Sequence, residues 1–196
     1  MKKIAITGNI ASGKSTVENF IKEKGYEIFD ADEICHFAML NDNEITQQIK
    51  ETFKNTNVFD KDGHIDRKKL GEIVFADNNA KTLLENILHP YVKEQLNKFF
   101  AQNNDKDFVF ASIPLLFEAN MENIVDKIIL VCADEKIRLE RLIKRNNFSE
   151  EHAYARIKAQ MPQEEKIKLA NYIIFNDTDL NYLKQEVINV LNRIIC

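Results

Sequence analysis

The stretch Gly8-Asn9-Ile10-Ala11-Ser12-Gly13-Lys14-Ser15-Thr16 constrains this chain more than any other. From Gly8 to Ser15 it reads glycine, four variable residues, glycine, lysine, serine. A short apolar run, Ile4-Ala5-Ile6-Thr7, precedes it, and Val17, Phe20, Ile21 and Lys24 follow at helical spacing. Strand, glycine turn and helix in that order aim backbone N–H groups inward. The helix N-terminus adds positive potential, so the segment is built to hold phosphates. Lys14 is placed to reach the β/γ-phosphates of a nucleotide, and the Ser15 hydroxyl to ligate Mg²⁺. The chain has five glycines and places two of them here.

Five apolar runs read as strands: Lys3–Thr7, Tyr26–Phe29, Phe108–Ser112, Lys127–Cys132 and Tyr172–Phe175. They are rich in β-branched and aromatic residues and lack strict alternation, as expected of a parallel sheet covered by helices on both faces. The implied class is α/β. The second and third runs are separated by an almost wholly helical insert, roughly residues 33–105. Ile45, Ile49 and Phe53 mark one helix, and Leu70, Ile73 and Val74 a second. Leu83, Leu84, Ile87 and Leu88 mark a third, and Val92, Leu96, Phe99 and Phe100 a fourth. His89 falls between the last two, with Pro90 at the first position of the fourth. Asp60-Lys61-Asp62-Gly63 matches the D-x-x-G of GTPases, but it lies between helices and no N-K-x-D follows, so it reads as a turn. Farther on, Asp134 and Ser149 are N-cap candidates. Leu180, Leu183, Val187, Leu191 and Ile194 give a last amphipathic helix expected to pack on the sheet.

Composition narrows the class of partner. With 44% hydrophobic and 30% charged residues, the chain suits a soluble fold of 196 residues: one core domain with an inserted piece, or two small lobes. A net charge of −4 weighs against a nucleic-acid scaffold. Cys35, Cys132 and Cys196 are odd in number and form no C-x-x-C pair, which argues against a metal or disulfide framework and suits a reducing cytoplasm. No run approaches the ~20 apolar residues of a membrane span, and the first residues run straight into a strand, leaving no room for a signal peptide.

Four further groups stand out. Asp30-Ala31-Asp32 ends the second strand, on the sheet edge where α/β proteins bind ligands. On an extended chain both carboxylates would point one way, and one could take a proton from an attacking hydroxyl or help to hold Mg²⁺. The plainer alternative makes Asp32 the N-cap of a helix starting at Glu33. Four of the six arginines lie between Arg138 and Arg156. Arg138, Arg141 and Arg145 share one helix face, either as donors to a transferring phosphoryl group on a mobile lid or as a solvated face. His89, alone between two apolar helices, reads as a cap or core residue. Pro114 cannot continue the third strand, so Pro114, Leu115 and Glu118 could line a substrate pocket or simply pack.

Taken together, these segments make the chain resemble the dephospho-coenzyme A kinases over essentially its whole length. The phosphate loop is widespread among kinases. Phe29-Asp30-Ala31-Asp32, Asp66-Arg67-Lys68-Lys69-Leu70 running on to Phe75, Leu88-His89-Pro90, Ile113-Pro114-Leu115-Leu116-Phe117-Glu118, Arg141 with Arg145, Ala159-Gln160 and Tyr172-Ile173-Ile174-Phe175-Asn176 are, in that order, far more specific. The resemblance implies a P-loop kinase with a five-stranded parallel sheet. It implies a nucleotide core over 1–32 and 106–196, a helical substrate insert over 33–105, and a helical lid over 135–161. It implies transfer of the ATP γ-phosphate to the 3′-hydroxyl of dephospho-coenzyme A, the last step of coenzyme A biosynthesis. Asp32 then matches the base, and Lys14 and Arg141 join it as catalytic groups. Gly8, Ala11, Ser12, Gly13, Lys14, Ser15, Thr16, Arg145 and Asn176 fall on the ATP side. His89, Pro114, Leu115 and Glu118 fall on the acceptor side, and Ser15 and Asp32 near Mg²⁺. The expected partners are the two small-molecule substrates, with no nucleic acid, no membrane and a monomer or weak homo-oligomer. The family's loop often reads G-G-I-G-S-G-K-S; here Asn9 and Ala11 replace two of those glycines.

Overall fold

The computed structural model describes residues 1–195; Cys196 lies outside them. Contacts divide the chain into two compact units. One comprises Met1–Asp30 and the chain from Gln102 onward, the other Ala31–Ala101.

The first unit is built on a five-stranded, wholly parallel sheet. Its strands are β1 (Lys2–Gly8), β2 (Ile28–Asp30), β3 (Phe108–Ser112), β4 (Lys127–Cys132) and β5 (Tyr172–Phe175), in the order β2-β3-β1-β4-β5. β1 is central: Ile6 lies opposite Ser112 of β3, and Gly8 opposite Val131 of β4. Because the strands are parallel, Gly8, Asp30, Ser112, Cys132 and Phe175 all end at one edge. The segments following them open together there, which is where the α/β architecture puts its ligands. Ile4, Ile6, Phe110, Ile129, Val131 and Ile174 form the buried layer. Helix α1 (Lys14–Glu23) covers them with Val17 and Ile21. The last helix, α9 (Leu180–Ile195), adds Leu183, Val187, Val190, Leu191 and Ile194. Leu180 departs from the expected packing. It is 64% exposed at the start of α9, because the apolar stripe begins one turn later.

The remaining helices of this unit are α6 (Glu135–Asn146), α7 (Glu150–Lys158) and α8 (Gln163–Leu169). Asp134 caps α6 by accepting from the Lys136 N–H, and Ser149 caps α7 by accepting from the His152 N–H. α7 ends at Lys158, before Met161. The short α8 is set off by Pro162, with Glu164 and Glu165 in its first turn, where acids favour a helix start.

The second unit is helical: α2 (Ala31–Asn41), α3 (Asn43–Thr52), α4 (Arg67–Ala76) and α5 (Asn78–Gln102). Asp42 and Asp66 cap α3 and α4 with their carboxylates. Ala38, Ile45, Ile49, Phe53, Val58, Leu70 and Leu88 close its core. The D-x-x-G segment is a turn. Asp60 Oδ1 accepts from the N–H groups of Asp62 and His64, under an isolated antiparallel bridge between Phe59 and Ile65. Two expectations fail here. The third and fourth insert helices are one 25-residue helix, α5, with Pro90 inside it, so His89 sits within a helix and not at a junction. A proline in a helix interior costs about 3 kcal/mol. Leu88, Val92, Leu96 and Phe100 are buried along the same helix, each contributing about 1.5–3 kcal/mol, and burial on both sides of Pro90 prevails. The second failure is at Asp30–Asp32. The helix starts at Ala31, so Asp30 ends the strand and Asp32 lies in the first turn. The two carboxylates do not share one extended face, and Asp32 is not an N-cap.

Candidate nucleotide site

The loop after β1 is shaped by two glycines for two different reasons. At Gly8 a Cβ would stand 2.6 Å from the Val131 carbonyl oxygen and 2.6 Å from Ser12 Oγ, so only glycine allows β1 to run this close to β4. Gly13, immediately before α1, has φ +91, a conformation glycine adopts without strain. A Cβ there would collide with Asn176 Nδ2. Ala11 also sits in the left-handed region, at φ 61, without glycine's freedom.

Asn176 and Arg141 brace the loop. The Asn176 amide, buried on the segment after β5, donates to the Ser12 carbonyl at 2.8 Å. Arg141 Nη2 donates to the Asn176 carbonyl at 2.9 Å, and its Nη1 lies 3.5 Å from the carbonyls of Ala11 and Ser12. A cavity of about 660 Å³ opens beside them, lined by Gly13, Thr16, Arg141, Asn176, Thr178 and Leu180 among others. The exposed Leu180 thus gives this cavity an apolar wall.

The three arginines of α6 do not act as a row. Arg138 is buried, donating from Nε to the Ala133 carbonyl at 3.0 Å with Glu135 at 3.9 Å; burial pulls its pKa below the usual arginine value. Arg141 faces the loop. Arg145 is exposed and donates to the neighbouring Asn146 side chain, away from the loop. On the acceptor side, Leu116 and Phe117 are buried, while Pro114 and Leu115 are half-buried. The Pro114 carbonyl accepts from the Thr7 hydroxyl, tying this segment to β1. Glu118 is engaged from within: Oε1 accepts from the Met161 N–H at 3.1 Å and pairs with the wholly buried Lys166 at 2.8 Å. His89 is half-buried on α5 and Asp32 lies on α2, both in the second unit.

Comparisons with known proteins bear on what binds here. A sequence model of the dephospho-CoA kinase family matches residues 2–182. Curated dephospho-CoA kinases from Carboxydothermus hydrogenoformans and Oceanobacillus iheyensis are 40% and 41% identical over 192 residues. Those matches cover 97% of this chain and 93% and 96% of the relatives. The chain belongs to the dephospho-CoA kinase family. A Campylobacter jejuni dephospho-CoA kinase structure superposes with a TM-score of 0.72 at 32% identity, covering 98% of this chain and 96% of that one. A crystal structure of a Thermus thermophilus protein reaches 0.83 at 34% identity, covering 98% and 97%. Shikimate kinase from Acinetobacter baumannii, at TM-score 0.58 and 15% identity over 100% of this chain and 93% of its own, shares the fold. The expectation of a P-loop kinase α/β fold is borne out.

The structure brings to the loop several residues to which the sequence reading gave no role. Asn9 donates to the Met161 carbonyl and Gln160 accepts from the Ile10 N–H, so the segment between α7 and α8 holds the phosphate loop from behind. Ser112 and Glu18 both engage Lys14. Glu18 carried a legible signal: it is one turn from Lys14, on the face of α1 that also holds Val17 and Ile21. Cys132, at the end of β4, is pushed up to about 12 by burial, so its thiol stays protonated and is no candidate nucleophile. No helix among the described residues is long and apolar enough to cross a membrane.

Proposed function

We propose that this chain transfers the γ-phosphate of ATP to the 3′-hydroxyl of dephospho-coenzyme A, releasing coenzyme A and ADP. The reading is carried by the loop itself, a glycine-shaped backbone cradle at the start of α1 in a chain of this family. The loop N–H groups and Lys14 receive the phosphates, and the cavity beside Gly13, Thr16 and Leu180 takes the base and ribose of ATP. Arg141 is braced by the loop and by Asn176, and stabilises charge on the transferring group as the lid, residues 135–161, closes. Arg145 joins it only on closure.

Asp32 stands in the first turn of α2, two residues past the end of β2. It accepts the acceptor hydroxyl's proton. His89, Pro114 and Leu115 contact the coenzyme substrate. Glu118 serves that pocket by holding its wall, through Met161 and Lys166. Mg²⁺ suits the donors available: the Ser15 hydroxyl is exposed in the first turn of α1, and hydroxyl and carboxylate oxygens are the hard ligands this ion takes. Bound there with the nucleotide, the ion would neutralise charge on the phosphates, with Ser15 and Asp32 as its protein-side contacts. The reaction is then mostly positioning and electrostatics. Measurement of ADP release from ATP and Mg²⁺ with dephospho-coenzyme A, against adenosine, AMP and shikimate, tests this reading. Turnover confined to dephospho-coenzyme A is expected, and turnover of AMP or shikimate in its place would overturn it.

A further inference from the structure

Glu18 is a carboxylate on the buried face of α1, 4% exposed, flanked by Val17 and Ile21. A lone charge in such a place is costly. The cation that meets it is Lys14: Nζ lies 2.7 Å from Glu18 Oε1, and both side chains are largely buried, at 13% and 6% exposure. The same Nζ donates to the hydroxyl of Ser112, the last residue of β3, at 2.5 Å. A lysine ammonium has three N–H donors and no acceptor. Two are therefore committed inside the protein, and one is left for a phosphate oxygen. Buried pairs of this kind differ from solvated i,i+4 pairs on a helix, because removing one partner strands the other charge.

We propose that Glu18 is a positioning residue for Lys14: together with Ser112 it holds the ammonium at the loop before nucleotide arrives, and in return Lys14 neutralises Glu18. This rests on the reading of Lys14 as a phosphate ligand. It carries a consequence for the usual loop-lysine variant, which would lose folding stability as well as turnover. It also predicts an unusual split. Without Glu18 the ammonium is still present, but its direction is no longer set, so the chemical step suffers more than binding.

Four proteins decide it: wild type, Lys14→Met, Glu18→Gln and the double variant. Each is melted without nucleotide and titrated with ADP and Mg²⁺ by calorimetry, and kcat and KM for ATP are measured with dephospho-coenzyme A. Lys14→Met should melt several degrees below wild type, and adding Glu18→Gln should recover most of that loss while restoring no activity. Glu18→Gln alone keeps the shape and one acceptor. It should melt less far below wild type than Lys14→Met does, because the ammonium left behind keeps the Ser112 hydroxyl. It should bind ADP no more weakly than wild type, with kcat down by about tenfold, inside the ~10²-fold that a misplaced catalytic group can cost. Should Lys14→Met fail to fold, recovery of a folded double variant is the rescue required, and its absence overturns the proposal. A double variant no more stable than Lys14→Met overturns it, and so does Glu18→Gln with unchanged kcat. The melting and ADP measurements judge the pair even if wild type fails to use dephospho-coenzyme A, an outcome that would instead overturn the proposed function.

Discussion

The phosphate loop and the arginine face of α6 meet at Asn176, yet they are specified in opposite ways. In the loop the backbone is the proposed binding surface, and residue identity matters mainly where a Cβ would intrude or a positive φ is needed, at Gly8 and Gly13. On α6 three arginines of identical chemistry occupy neighbouring positions and meet three different fates: Arg138 buried, Arg141 against the loop, Arg145 in solvent. A backbone motif carries its own structural instruction. A side chain's role depends on what the rest of the fold brings up to it.

The strongest challenge to this contrast is Gly13→Ala. Both the φ of +91 and the collision with Asn176 Nδ2 oppose it, so activity should fall below detection and ADP binding should be lost in calorimetry. Gly63→Ala is the control: φ is +79, but nothing lies within 4 Å, so only the backbone strain of about 1–2 kcal/mol should register. Wild-type ADP affinity in Gly13→Ala would remove the loop's backbone from the centre of the reading.

Next in size is Asp32→Asn. As the proposed base its loss should cut kcat by about 10²–10⁴, with ATP affinity moving much less. Asp32 is in the first turn of α2, so the lost charge–dipole term is only about 0.3–1 kcal/mol, and thermal melting should barely change. Ordinary turnover in this variant would send the proton elsewhere.

Arg141→Ala should lower kcat by about 10–100-fold and raise KM for ATP less, since its main proposed service is to the transition state. Equal losses in both would make it a binding residue.

The smallest kinetic effects belong to its two neighbours, and they should separate from each other. Arg138→Ala should leave kcat within about twofold while lowering the melting temperature by several degrees. Its removal takes away the Ala133 contact and leaves a gap, and about 1 kcal/mol corresponds to ~2–4 °C in a chain of this size. Arg145→Ala should change neither quantity beyond a surface contact's worth, about 0–1 kcal/mol, unless lid closure recruits it. Steady-state kinetics and a melting curve on each variant decide the order.

Much of this fold was legible because its signals are local. Three of the five strands match residue for residue, since apolar runs bounded by polar turns mark a buried parallel sheet whatever covers it. The N-caps at Asp134 and Ser149 were legible for the same reason. Other features depend on tertiary packing. Pro90 read as a helix start because proline ends most helices, and it sits mid-helix because Leu88 and Val92 on either side of it are buried. The Asp30–Asp32 boundary slipped because the strand is only three residues long, too short for a pattern. In the site, the loop could be read directly. Arg138 could not be told from Arg141, and the partners of Glu118 come from Met161 and Lys166, far along the chain.

The strand order has a consequence for how such a chain comes into being. β2 pairs with β3, and β1 with β3 and β4, so neither of the first two strands has a neighbour until residues 108–112 have been made. Between β2 and β3 lies the whole helical unit, Ala31–Ala101. At a ribosome adding about 5–20 residues per second, that unit emerges over roughly 4–14 seconds while two apolar strands wait with open edges. Chains that end before residue 108 therefore lack the strand that both β1 and β2 pair with, and the sheet cannot form in them. A holdase that shields extended apolar segments would find its target in the first thirty residues, ahead of any nucleotide.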